Sequence, residues 1–217
     1  MKFGQIKAVP LTVSMIDKAV AILQIGGCLI YPTETFYALG CSGLDTRAVE
    51  CIFSLKSRPL SKPLPLIIGD LGQLEPIASP IAPLTRRLMD RFWPGPLSVL
   101  IPARSGLPRG LVSDRGLVCV RLTSHPGARS LCLQTGTPLT ASSANFSGKK
   151  PPSTPDEIDP GLKGQADFFF NPPPPPGGGA PSTIVAEAEQ GKLNILREGA
   201  IDRETLIGAG FYVEEQG

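Results

Sequence analysis

The chain has 217 residues, 41% of them hydrophobic and 18% charged, with a formal net charge of +2. This composition excludes a disordered chain, and the length suits a domain that buries its own core. The balanced charge lacks the dense basic face of a dedicated nucleic-acid binder, and no run approaches the ~18 uncharged apolar residues of a membrane helix.

The first residues, MKFGQIKAVPL, contain no apolar core and no small-residue cleavage site, so no secretory signal and a cytoplasmic location are expected. Ser14 to Ile25 is a predicted helix, with Ser14 as cap, Asp17 at the capping-box position and Gly26-Gly27 as the stop. Cys28 to Tyr31 reads as a short buried strand that Pro32 ends. Asp45 can cap a second helix running to about Leu55, with Val49, Ile52 and Phe53 inward. Leu64 to Ile68 is a strand, and Pro83 to Phe92 is a helix that Trp93-Pro94-Gly95-Pro96 breaks.

Strands are predicted over Leu97 to Ile101, Leu117 to Leu122 and Pro138 to Ala141, with a helix over Pro126 to Gln134. Asp156 to Leu162 is expected to be a short helix. Asp167 to Phe170, Thr183 to Val185 and Leu193 to Leu196 complete the strands, and Asp202 caps a last helix. The order interleaves β and α without a strict βαβ repeat. It predicts an α/β fold on a twisted mixed sheet, as one domain over 1–217 with its core at about 12–205. The run Pro172 to Pro176, followed by Gly177 to Gly179, reads either as a linker or as a rigid loop bordering a site. Cys28, Cys41, Cys51, Cys119 and Cys132 are widely spaced without a CxxC pair, so free thiols and no structural metal are expected.

Three motifs can carry chemistry. In YPTETFYALGC, Thr33 and Thr35 present hydroxyls at a strand end, suited to a small polar ligand or to capping the turn. In LKSRPLSKP, Lys56, Arg58 and Lys62 can surround a polyphosphate or serve a helix C-terminus and a solvated loop. In TASSANFSG, Ser142, Ser143, Asn145 and Ser147 follow a strand, where ligands bind in open α/β sheets; a polar turn is the alternative. No GxSxG elbow surrounds a serine, and there is no GxxxxGK[ST] loop. Arg121, at the end of a Val-rich strand, needs an anionic partner, either a ligand or a carboxylate of the chain.

These fragments resemble, in order, the YrdC-like family of L-threonylcarbamoyladenylate synthases. The matching segments are YPTETFYALGC, LKSRP…KPLPLII, FWPGPLSVLIP, VCVRLTSHP, PLTASSANFSG, PSTIV and ILREGAI, and the chain looks like the family's short single-domain form. The resemblance implies a largely open α/β sheet with a large concave cationic cavity. It implies that L-threonine, bicarbonate and ATP, with Mg2+, give threonylcarbamoyl-AMP and pyrophosphate. Other proteins then move the threonylcarbamoyl group onto tRNA. By this match Lys56, Arg58, Ser143 and Asn145 face the nucleotide, as do Lys62 and Arg197. Thr33, Arg121 and Ser182 contact threonine, and Thr35 helps recognise its hydroxyl. No membrane partner and at most a weak direct contact with tRNA are expected. A non-catalytic RNA-binding module of the same fold, or a carbamoyl-adenylating enzyme with another acceptor, are the competing readings. The chain departs from the family pattern at Phe36, Ala38, Pro181 and the run Pro172 to Pro176.

Overall fold

The structure is a computed structural model that describes residues 14–214. The reading of residues 1–11 lies outside them. The first helix, α1 (Met15–Gln24), starts on the predicted capping box: Asp17 N–H donates to Ser14 Oγ, and the Asp17 carboxylate accepts from the Ser14 backbone. The chain then runs out along β1 (Leu29–Pro32) and returns along β2 (Tyr37–Gly40), an antiparallel hairpin.

Strand β2 is absent from the expected elements. Its turn residues Thr33 to Phe36 lack the glycine that marks most hairpins. Thr33 supplies the closure instead, its hydroxyl donating to Phe36 O at 2.8 Å and its N–H to the same oxygen at 3.1 Å.

Asp45 caps α2 (Thr46–Lys56), which leads to β3 (Leu66–Ile68), α3 (Pro83–Phe92), β4 (Leu97–Pro102), β5 (Leu117–Leu122) and α4 (Pro126–Thr135). The predicted strand at Pro138 to Ala141 shortens to β6 (Leu139–Thr140): Ala141 N–H still donates in register to Pro65 O at 2.8 Å, but Pro65 has no N–H to return a bond and the ladder ends there. The next two residues form β7 (Ser142–Ser143) in a different sheet. The helix expected over Asp156 to Leu162 divides into a 3-10 turn at Pro155–Glu157 and α5 (Pro160–Gln165). Pro160 has no N–H to continue a helix but suits the first position of a new one, which Asp159 caps. β8 (Phe168–Phe169), β9 (Thr183–Glu187), β10 (Leu193–Arg197) and α6 (Arg203–Gly208) follow.

The mixed sheet is divided in two. The smaller has the order β7-β2-β1-β8 and the larger β10-β9-β4-β5-β3-β6. Each contains parallel and antiparallel pairs. Thr140 stitches them together: its N–H donates to Cys41 O at 2.9 Å, its hydroxyl accepts from Cys41 N–H at 2.9 Å, and its carbonyl accepts from the Tyr31 phenol at 2.6 Å. The approach is so close that a Cβ on Gly40 would stand 1.8 Å from Thr140 O. The main core lies where the larger sheet meets α2, with Ile52, Leu66, Val99 and Val120 fully buried. A second cluster joins α1 and α4 over Leu29 and Tyr31. All five cysteines are free; Cys51 is exposed and the other four are buried. Among the described residues no helix is long and apolar enough to cross a membrane.

Candidate active site

A cavity of about 560 Å³ opens between the two sheets. That volume lies within the range of roughly 300–1,000 Å³ usual for small-molecule sites. The smaller sheet and its turn contribute Thr33, Thr35, Ser143 and Asn145. The larger sheet contributes Arg121, Ser182 and Arg197, and the segment after α2 adds Arg58. The structure brings these eight predicted site residues together on one cavity. The described lining residues include the cations Arg58, Arg121, Lys149 and Arg197 and no aspartate or glutamate.

Lys56 and Lys62 are placed differently. Ser57 caps α2 with φ of 49°, in the left-handed region, and so separates the directions of its two neighbours. Arg58 lines the cavity, while Lys56 turns inward, 2% exposed, and its ammonium donates to the backbone carbonyl of Ser143. Burial, and secondarily the nearby Arg58 charge, lower the Lys56 pKa from 10.5 to about 7. Lys62 is exposed and offers its carbonyl, not its side chain, to the site: Arg58 Nε donates to Lys62 O at 2.7 Å, and Nη2 to Pro63 O at 3.1 Å.

The guanidinium groups strain against one another. Burial and then Arg197 lower the pKa of Arg58, while burial and the Arg121 charge act in the same direction on Arg197. Arg58 is half-buried and Arg197 exposed, and like charges brought together in this way favour an incoming anion. Arg197 is anchored by its Nε and Nη2 to Ser182 O at 3.1 and 2.7 Å, and by Nη2 to Ser182 Oγ at 3.0 Å. Ser98 also donates to Ser182 Oγ at 3.0 Å. Ser182 therefore accepts twice and keeps its own hydroxyl proton for a ligand.

The Thr33 hydroxyl is consumed by its own turn. Thr35 Oγ1, 3.3 Å from Thr33 Oγ1, is the freer of the two. Asn145 gives its amide protons to the carbonyls of Phe146 and Lys149, and its Oδ1 is buried without a partner. An orphaned acceptor of this kind is costly unless a ligand donates to it.

Arg121 meets a carboxylate of its own chain. Its Nη1 lies 3.2 Å from Glu34 Oε1, and Thr123 Oγ1 donates to Glu34 Oε2 at 2.6 Å. Of the two alternatives for this arginine, the carboxylate of the chain is the one present, and Arg121 also lines the cavity. Lys149, Ser98 and Cys119 are cavity residues that carried no signal in the sequence beyond their nearness to the motifs.

The family model described as Telomere recombination, which groups Sua5, YciO and YrdC, matches residues 21–199. The chain belongs to this family. It is 36% identical to the threonylcarbamoyl-AMP synthase of Bacillus subtilis over 151 residues, 69% of this chain and 44% of that protein. It is 34% identical to the threonylcarbamoyl-AMP synthase of Cellvibrio japonicus over 152 residues, 70% of this chain and 80% of that one. The structure of Pyrococcus abyssi Sua5 complexed with L-threonine superimposes with a TM-score of 0.84 at 30% identity, covering 92% of this chain and 58% of that one. The chain thus spans less than half the length of the Bacillus relative, and most of the Cellvibrio one.

Proposed function

We propose that the protein is an L-threonylcarbamoyladenylate synthase, converting L-threonine, bicarbonate and ATP into threonylcarbamoyl-AMP and pyrophosphate. The observation that carries this reading is the convergence of Arg58, Arg121 and Arg197 on one cavity that also offers threonine-side and serine-side hydroxyls. Relatives carrying the synthase name, and a threonine complex of the same fold, support it.

The reaction needs alignment and charge neutralisation more than a covalent nucleophile. The threonine amine attacks the carbon of CO2 derived from bicarbonate and loses a proton, giving a carbamate. A carbamate oxygen then bonds to the α-phosphorus of ATP as the bond to the β-phosphate oxygen breaks and pyrophosphate leaves. Arg58 and Arg197 stabilise the phosphates, Arg197 from its rigid seat on Ser182. Arg121 holds the threonine carboxylate with donors that Glu34 leaves open, and Thr35 and Ser182 meet polar groups of the amino acid. Asn145 Oδ1 accepts from a ribose hydroxyl or faces Mg2+. With hydroxyls and an amide oxygen but no carboxylate in the lining, the site suits Mg2+ carried in on the triphosphate, where it supplies additional positive charge. Lys56 acts from behind the wall by fixing the Ser143 segment.

In this reading the product passes to transfer proteins that modify tRNA in the cytoplasm, with at most weak direct contact between this chain and tRNA. The test is mass spectrometry of purified protein with Mg2+, ATP and bicarbonate, and with threonine, serine or valine. Threonine-dependent threonylcarbamoyl-AMP with matching pyrophosphate is expected. A folded protein that forms no adenylate with any amino acid overturns the reading.

A further inference from the structure

The Glu34 carboxylate is 12% exposed and does not line the cavity; it stands behind Arg121. Its two oxygens are used unequally. Oε2 receives the short bond from Thr123, whereas Oε1 faces Arg121 Nη1. Oε1 has no hydrogen-bond partner, so this contact is an ion pair that holds the guanidinium by charge at close range and leaves its N–H donors for a ligand.

A chain of contacts runs outward from Glu34. Thr123 Oγ1, which donates to Glu34, accepts from His125 N–H at 3.2 Å. The His125 ring caps α4: Ala128 N–H donates to Nδ1 at 3.3 Å. Nδ1 is therefore the acceptor, and Nε2 carries the proton that it donates to Pro174 O at 2.7 Å. Both ring nitrogens are committed, so the imidazole has one orientation.

Pro174 belongs to the segment that the sequence left open as linker or rigid loop. It is a strap. Pro172 packs so closely on Gly127 that a Cβ there would lie 2.4 Å from the proline ring, and Pro176 is buried. At its far end Gly177 N–H donates to Glu34 O at 3.2 Å, and Gly178 N–H to Thr35 O at 2.9 Å. The strap thus grips the Thr33–Phe36 turn from its back and His125 from its side. A run of five prolines loses little chain entropy when it is held this way.

We propose that Glu34 is the positioning residue for Arg121, and that the strap 172–178 sets the place of Glu34 through His125, Thr123 and the turn backbone. The strap touches no ligand. It fixes, from outside the cavity, where the cation for the amino-acid carboxylate stands. The kinetic consequence rests on the reading above in which Arg121 holds that carboxylate.

The test uses the full chain and two readouts. Glu34→Gln keeps size and drops the charge, and Thr123→Val removes the hydroxyl that holds Glu34. His125→Ala cuts the tie to Pro174, while His125→Gln restores a side-chain donor. In ligand-free crystal structures of Glu34→Gln and His125→Ala, the Arg121 guanidinium is expected to move by about 1 Å or more, enough to spoil a productive geometry. In steady-state assays the threonine KM should rise roughly tenfold in Glu34→Gln and less in His125→Ala, with the ATP KM held within about twofold. His125→Gln should recover most of the loss. An Arg121 that stays put in both structures overturns the proposal, as do equal rises in the two KM values. Thr123→Val carries both readouts if either variant fails to fold. If wild type forms no adenylate, the proposed function falls, and the position of Arg121 still decides this inference.

Discussion

The Lys56 ammonium donates to the backbone carbonyl of Ser143, tying the last turn of α2 to the two-residue edge strand β7 of the smaller sheet. The bond crosses 87 residues of sequence and lies beneath the cavity floor. It makes Lys56 a member of the wall and gives it a titration unlike that of a surface lysine.

Lys56 should make stability depend on pH. Its pKa is lowered from 10.5 to about 7 by burial and by Arg58. Between those two values the unfolded chain holds the proton and the folded chain has released it. The unfolded state therefore binds more protons, and stability from this group rises with pH, by roughly 1.4 kcal/mol per unit in mid-window. Below pH 7 the cost of the buried charge is fully present; above about 10.5 it is gone. Lys56→Met cannot titrate. Urea unfolding at pH 7 and pH 9.5 should show wild type gaining on the variant as pH rises, and a constant gap would refute the assignment.

Arg58→Ala should lower pyrophosphate release by about 10²- to 10³-fold, the usual effect of removing a charge stabiliser. It should cost only about 1 kcal/mol of stability for the bonds to Lys62 O and Pro63 O. Activity near wild type in a folded Arg58→Ala protein would remove this guanidinium from the phosphate site.

Arg121→Lys replaces a fork by a point charge. The threonine requirement should climb about tenfold while the ATP requirement stays within about twofold. Measuring KM for each substrate separates the roles, and matched increases would count against carboxylate binding at Arg121.

Gly40→Ala should be among the most damaging small substitutions. Its methyl would sit 1.8 Å from the Thr140 carbonyl, a backbone atom that cannot swing away. A loss of about 3 kcal/mol or more, or no folded protein, is expected. Gly164→Ala in α5 meets nothing within 4 Å and should stabilise by up to ~1 kcal/mol. Denaturant midpoints of the two variants make the comparison, and a neutral Gly40→Ala would show that the sheets can part there.

Legibility in the sequence followed the range of the forces involved. Helix starts at Ser14, Asp45 and Asp202 were readable because a cap is a contact over two or three residues. Buried strands at Leu97 and Leu117 were readable from continuous apolar runs. β2 was hidden because a threonine closes its hairpin, and β7 because two serines carry no strand signal while their ladder partners lie far back in the chain. In the site, motif residues next to strand ends were legible. The different fates of Lys56 and Arg58 were not, since they depend on one left-handed residue between them. Glu34 stood in a quoted motif without a role, because its partners Arg121 and Thr123 are 87 and 89 residues away.

The division of the sheet at Thr140 has a mechanical meaning. Thr33, Thr35 and Ser143 belong to one leaf, and Arg121, Ser182 and Arg197 to the other. The leaves share a seam along β6, and the cavity lies in the fold between them. A molecule that reaches both leaves acts as a clasp opposite the seam, like the catch on a book hinged at its spine. Occupancy should therefore lower amide exchange in β1 as much as in the arginine-bearing strands, although no residue of β1 lines the cavity.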